Sequence, residues 1–416
     1  ILEKLQKVLE EVENRPIIVR SSSLLEDNFG TSFAGKYDSV FCPNQSSPEE
    51  NLQNLTNAIT HVYASGLNPD ALLYRRTMGL QDYDERLAIL LQVVEGERFG
   101  KYYLPHIAGV GFSQNLYRWS PQIRKEDGFL RIVWGLGTRA VNRVGRDYPR
   151  LVALSHPELR PDSSVKAIQR YSQQYVDLIN LEDNKFETLP IKDVLAPRYG
   201  PLRYLAQLHQ SGYLTPIRSS VLSGSPDQLV LTFQGVIQNT PFADRMKRIL
   251  SILEEHYNGP VDMEFTVGLT GFNKKQPNPR ISILQCRPQA YAFESDARLP
   301  DKIPKESIVF STRILVPHGR VKDIRYVIFV APESYYALPT PAERSELGRA
   351  IGRLNEILAD QTFICVGPGR WGTTNPDLGV NIGYADIYNT RSLVEITGQG
   401  IGSAPDASFG THFFQD

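Results

Sequence analysis

Apolar residues recur at helical spacing at the start of the chain. Leu2, Leu5, Val8, Leu9 and Val12 fall on one face, which predicts an amphipathic helix over residues 1–14. Residues 16–20 form a short apolar run that predicts a strand. A polar, Gly-bearing stretch follows over 21–35, and a second strand is predicted over 37–41. Ser47, Pro48 and Glu50 occupy the N-cap, N1 and N3 positions of a helix start, so a helix should run to about Ser65. Further strands are predicted over 86–94, 102–110, 130–134 and 228–236. Thr240-Pro241 opens a helix that Tyr257-Asn258-Gly259 should end, because Asn and Gly tolerate the left-handed residue of a C-terminal stop. Residues 160–225 mix helical pieces with Pro and Gly, and the pattern assigns no elements there.

Two apolar runs, 261–267 and 281–286, flank a polar segment over 268–280, the pattern of a hairpin with a long loop. Beyond a polar, Pro-containing linker over 294–305, a second α/β unit is predicted. It has strands near 307–315 and 325–331, a helix over 341–358, a strand over 362–366 and a Gly-rich turn over 367–372. That turn lacks the Gly-Lys-Ser/Thr of a Walker A loop. It could bind an anion through backbone N–H groups, or be a tight turn pinned by Trp371.

The hairpin carries the candidate chemistry. Strand side chains alternate faces, so Asp262 and Glu264 share one face, as do Gln285 and Arg287. Two carboxylates two residues apart on a rigid strand suit Mg²⁺, which takes oxygen ligands and keeps room for substrate phosphates. Arg287 would meet a phosphate, and Gln285 a phosphate or a ribose. The alternative is an exposed strand face of alternating charge. Arg20, at a strand end before Ser21-Ser22-Ser23, makes an anion-binding arrangement, with small residues around Gly35 allowing close backbone approach. The alternative there is a polar surface loop.

At 416 residues the chain exceeds the usual size of one core, so two domains are expected. A net charge of −1 argues against a nucleic-acid binder. No apolar run reaches the roughly 18 residues of a membrane span. The three cysteines, Cys42, Cys286 and Cys365, form no CxxC pair, which argues against a zinc site or a disulfide framework and for a cytoplasmic setting. The sequence starts at Ile1 and stops at Asp416, and the expectation is a piece of a larger protein.

Several stretches, in order, resemble the phosphoenolpyruvate synthase and pyruvate phosphate dikinase family. Arg20-Ser21-Ser22, Glu26-Asp27 and Ser32-Phe33-Ala34-Gly35 are similar to its V-R-S-S-x-x-x-E-D-x-x-x-x-S-F-A-G segment. Leu91-Gln92-Val93-Val94 and Ala108-Gly109-Val110 resemble V-Q-x-M-V and A-G-V. Trp134-Gly135-Leu136-Gly137 resembles W-G-L-G. His256-Tyr257-Asn258-Gly259-Pro260-Val261-Asp262-Met263-Glu264 and Ile283-Leu284-Gln285-Cys286-Arg287-Pro288 resemble H-Y-G-x-P-Q-D-I-E and I-L-Q-A-R-P.

The resemblance covers roughly residues 15–290 and implies an α+β fold. The expected architecture is an ATP-grasp-like domain over 1–295, two lobes closing on ATP, followed by a smaller α/β domain over 306–416. It implies that Arg20 binds phosphates, that the Ser32–Gly35 loop folds over them, and that Gln92 lies in the adenine-side hinge. Asp262 and Glu264 would hold Mg²⁺, with Gln285 and Arg287 on nucleotide or phosphate. Arg20 and Arg287 are the candidate catalytic residues. The implied function is a Mg²⁺-dependent ATP-binding phosphotransferase, kinase or dikinase in class; the alternative is a nucleotide-sensing module that binds ATP without turnover. The chain departs from the family in two places. The family's phosphate-binding lysine, in a Gly-Lys-Gly context, has no counterpart before Arg20, and Lys36 does not occupy its position. The Thr-Ser-His type motif of a phosphocarrier domain is not found, His412 having only a superficially similar context. A carrier histidine would therefore come from elsewhere in the full protein or from a partner, the other option being a direct acceptor substrate.

Overall fold

The structure is a computed structural model that describes residues 1–26, 36–82, 85–115, 119–120, 122–141, 147–218, 226–271, 277–289, 302–309, 320–373 and 376–397. Helices and strands are mixed throughout and mostly segregated into antiparallel sheets and their flanking helices, an α+β arrangement.

The chain begins with α1 (Leu2–Val12), then β1 (Ile17–Ser22), β2 (Val40–Cys42), α2 (Pro48–Ser65), α3 (Pro69–Thr77) and β3 (Ala88–Val93). β1 is the centre of an antiparallel sheet of order β2-β1-β3. The strand expected over 37–41 begins only at Val40. The helix start at Ser47 forms as its sequence dictates, with Ser47 Oγ accepting from the Glu50 N–H at 3.2 Å. Ile17 and Val19 point into a core with Leu55, Ala58 and Val62, sealed by Leu5, Leu9 and Val12 of α1. Period-two alternation then sends Ile18 and Arg20 to the opposite face. There Ile18 packs with Val94, Leu136 and Ile179 of the next unit. The sheet is thus apolar on both faces, and Arg20 is carried at the end of the row that meets the rest of the molecule.

The central unit runs β4 (Glu97–Phe99), β5 (Tyr102–Leu104), β6 (Ile107–Phe112), β7 (Phe129–Val133), α4 (Thr138–Val141), β8 (Arg150–Ala153), α5 (Val165–Arg170), β9 (Tyr175–Asn180) and β10 (Lys185–Pro190). It continues with α6 (Ile191–Val194), α7 (Leu202–Leu205), β11 (Ala206–Gln210), β12 (Tyr213–Pro216), β13 (Leu229–Leu231), α8 (Gln234–Asn239), α9 (Phe242–Tyr257), β14 (Val261–Thr270) and β15 (Asn278–Pro288). Three sheets result, of order β15-β14-β6-β7-β8, β10-β9-β5-β4 and β12-β11-β13. The long strand expected over 102–110 is two strands in different sheets. Pro105 supplies no N–H to a ladder, and the neighbouring His106 turns inward, where its Nδ1 accepts from the Leu269 N–H at 2.8 Å. The strand expected over 228–236 stops at Leu231, because Phe233 adopts a left-handed conformation (φ 56°) and α8 starts behind it. α9 ends at Asn258, also left-handed (φ 53°), as the stop signal predicts.

Trp134 lies fully buried in the main core and its Nε1 donates to Tyr199 Oη at 3.0 Å. Gly135 follows at φ 91°, and a Cβ there would sit 2.4 Å from Val176 Cγ2. The backbone turn after Trp134 therefore needs glycine for both its angle and its closeness to β9.

The last part holds β16 (Tyr326–Phe329), α10 (Pro332–Ala337), α11 (Pro341–Ile357), β17 (Phe363–Pro368) and β18 (Leu393–Ile396). Its sheet, β16-β17-β18, is parallel, an α/β unit with its own core of Ile328, Tyr335, Ile351, Phe363, Cys365 and Trp371. Thr340 and Glu343 close a capping box at the start of α11. In the Gly-rich turn, Trp371 is fully buried, its N–H donates to Glu395 Oε1 at 3.2 Å, and Gly369 and Gly372 take positive φ, so this is a tight turn pinned by Trp371. Residues 302–309 carry no strand; the remainder of the strand expected at 307–315, most of the expected linker, and His412 lie outside the described residues. This unit touches the first one where Lys36 Nζ stands 4.3 Å from the ring centroid of Tyr384 and 5.6 Å from that of Tyr74. No helix among the described residues is long and apolar enough to cross a membrane.

Candidate functional site

The hairpin β14–β15 pairs antiparallel, with Asp262 opposite Arg287 and Glu264 opposite Gln285. Its ladder extends to Thr270 and Asn278, so the loop is much shorter than the polar segment suggested. Val261, Met263 and Phe265 are buried in the main core. The alternation that puts them there turns Asp262 and Glu264 to the other face. A register shift follows Glu264, so the four polar residues fall in the stretch before the irregularity. This face is not a freely exposed row of charges. Asp262 and Arg287 are each 8% exposed, and side chains of β1 and β3 reach the hairpin.

Arg20 crosses from β1 to that face. Its Nη2 donates to Gln285 Oε1 and pairs with Glu264 Oε2, both at 2.7 Å. Arg287 Nε donates to Asp262 Oδ1 at 2.8 Å. Burial works against the Arg287 charge, and Asp262, Glu264 and Glu26 outweigh it, so its pKa moves upward and the guanidinium stays charged. Gln92, on β3 opposite Ile18, donates from Nε2 to the Leu284 carbonyl at 3.3 Å. Arg20, Gln92, Asp262, Glu264, Gln285 and Arg287 are thus brought together at one junction between two sheets. Ser32 and Gly35 lie outside the described residues.

Around this junction stand groups the sequence reading left without a role. Glu26 contributes to the field at Arg287, and its place in the Glu26-Asp27 pair was the available signal. Ser23 Oγ bonds Glu85, and Tyr37, which is buried, has its pKa raised by burial first and then by its hydrogen bond to Glu85. A second buried network follows the Trp134 turn. Arg139 pairs with Asp147 and, at 2.9 Å, with Asp177, whose carboxylate also accepts from Thr138 and Thr188 at 2.6 Å each. Burial raises the Asp147 pKa against the pull of Arg139. This network ties the turn to β9 and β10; its residues are too far apart in sequence to form a motif.

The donor set at the hairpin suits Mg²⁺ in one specific way. Among the described residues no group of three His, Cys, Asp or Glu side chains converges, so no all-protein cage is built. Two carboxylates on one face with an amide oxygen opposite match a hard cation that fills its remaining positions with water and phosphate oxygens. Glu264, whose side chain is 25% exposed, is the more accessible of the two carboxylates. The two guanidinium groups beside them supply bidentate donors of the kind that phosphates require.

A comparison with curated proteins finds no match to the chain. Against protein families the outcome is definite: residues 1–307, which contain the whole β1–β3 and β14–β15 junction, match Pyruvate phosphate dikinase, AMP/ATP-binding domain, and the chain belongs to that family.

Proposed function

We propose that the chain is the nucleotide-binding part of a Mg²⁺-dependent phosphotransferase, an ATP-grasp-like domain over residues 1–295 followed by a smaller α/β domain over 306–416. The observation that carries this is the convergence of Arg20 and Arg287 with Asp262, Glu264 and Gln285 on one hairpin face within the family-matched region. Arg20 and Arg287 hold the phosphates of ATP by charge-assisted hydrogen bonds, Gln92 lies on the adenine side, and Gln285 contacts phosphate or ribose. Asp262 and Glu264 hold Mg²⁺, which when bound neutralises phosphate charge. In phosphoryl transfer the protein chiefly positions reactants and stabilises charge, so these residues cover what the chain must supply. The acceptor is either a carrier histidine elsewhere in the full protein or on a partner, or a substrate phosphorylated directly.

One observation favours a second reading, a sensor that binds ATP without turnover. Each arginine is already neutralised by a carboxylate of the same site, Arg20 by Glu264 and Arg287 by Asp262. A nucleotide must therefore exchange with the Arg20–Glu264 contact, which joins two sheets, and binding alone would be felt at that junction. Release of ADP, AMP and phosphate by the full-length protein separates the readings. Steady turnover supports the enzyme; Mg²⁺-dependent ATP binding with no product formed supports the sensor.

A further inference from the structure

Two arginines at the far edge of the large sheet lack the carboxylate partners that Arg139 and Arg287 have. Arg150, the first residue of β8, is 6% exposed. Its Nη2 donates to the Pro157 carbonyl at 3.1 Å, and its Nε is buried with no hydrogen-bond partner among the described residues. Arg160, three residues beyond Pro157, is partly buried, and its Nη2 donates to the Thr232 carbonyl at 2.9 Å. Neither pairs with a carboxylate among the described residues. The Arg150 guanidinium thus reaches into the turn that leads to Arg160, and burial, then repulsion from Arg160, depresses its pKa. Burial also lowers Arg160, to about 10. In the same turn, Ser155 Oγ is buried with no partner among the described residues.

Arg139 has Asp147 and Asp177, and Arg287 has Asp262. A buried cation without a counter-ion is costly, and neutral backbone carbonyls do not discharge it. Two such cations on one turn call for negative charge, and an unpaired N–H and a hydroxyl call for acceptor oxygens. The planar fork of arginine fits tetrahedral oxyanions. We infer that Arg150 and Arg160, with Ser155, form a binding site for a dianionic phosphate group, open to solvent on the Arg160 side. It is separate from the nucleotide face, because β8 and β15 are the two opposite edges of one five-stranded sheet.

The test is thermal unfolding of the chain titrated with inorganic phosphate, against sodium chloride at equal ionic strength, in wild type and in Arg160→Leu. The expected result is a saturable rise in wild-type melting temperature, roughly 3–8 °C at 100-fold excess over the dissociation constant. In Arg160→Leu that rise disappears, and the ligand-free melting temperature is not lowered, since a repelling buried charge has been removed. The inference is overturned if phosphate stabilises wild type no more than chloride does, or if Arg160→Leu responds as fully as wild type. Should Arg160→Leu fail to fold, Arg160→Gln, which keeps a donor for the Thr232 carbonyl, is titrated in the same way and must lose the response. Glucose 6-phosphate as a second probe distinguishes the sources. A response to both means that a phosphate monoester end is admitted; a response to phosphate alone means that the site closes on the free ion.

Discussion

Arg20 and Glu264 meet at 2.7 Å although they belong to different sheets and lie in the first and last parts of the family-matched region. The pair is only partly shielded, with side chains 15% and 25% exposed, so its contribution to folding is small. Its position is what matters: it joins two sheets at the face that carries the candidate site residues.

Replacing Glu264 with Gln should weaken Mg·ATP binding while leaving the ligand-free melting temperature nearly unchanged. Isothermal titration and thermal unfolding on the same preparation check both parts. A large loss of fold stability would mark Glu264 as a structural residue.

Arg20→Met removes a charge-assisted donor to any phosphate at the junction. The loss should be about 2 kcal/mol of ATP affinity, about thirtyfold, against a change in folding stability of at most about 1 kcal/mol. Nucleotide titration and urea denaturation give the two numbers, and comparable losses in both would contradict the proposed role.

Asp262→Ala behaves differently, because its partner is buried. Arg287 would be left as an uncompensated interior charge, which costs about 3–5 kcal/mol of stability. A drop in urea midpoint well beyond that of Glu264→Gln is the expected outcome. Equal drops would mean that the burial of the Asp262–Arg287 pair has no energetic consequence.

His106 makes acid stability a further test. Burial lowers its pKa from an ordinary value near 6.5 to about 4, and Nδ1, accepting from the Leu269 N–H, leaves the proton on Nε2, which faces Glu97 Oε2 at 3.4 Å. Between these two pH values the unfolded chain binds the extra proton and the folded one does not. The histidine's contribution to stability is therefore full above about pH 6.5 and falls away as pH drops towards 4, by about 3 kcal/mol in total. His106→Asn should flatten that part of the stability–pH curve, measured by urea unfolding at pH 7 and pH 4.5.

Gly135→Ala should destabilise by about 3 kcal/mol or more, since the new Cβ would meet Val176 and the Asp177 carbonyl at a positive φ. A melting temperature close to wild type would show that the turn and β9 can separate without cost.

Much of the hairpin face could be read directly. Strand periodicity alone puts Asp262 with Glu264 and Gln285 with Arg287, because neighbouring residues on a pleated strand cannot share a face. The same kind of local signal placed α2 at Ser47 and the end of α9 at Asn258, where caps are short-range chemistry. Local signals failed where distant groups competed for the backbone. His106 breaks the expected strand over 102–110 by bonding a residue more than one hundred and fifty positions later. Residues 160–225 gave no pattern because their elements are short and unlike in burial: β9 is almost wholly buried, whereas β10 and β12 have no buried residue.

The sequence by itself therefore determined the chemistry of the candidate site: which carboxylates and guanidinium groups are present, and which of them share a strand face. Only the tertiary structure decided which charge meets which. Arg20 reaches Glu264 because Ile17 and Val19 are held in the core beneath α1 and α2, forcing the alternate row of β1 towards the hairpin. That pairing depends on the packing of two sheets, and nothing within a few residues of either partner encodes it.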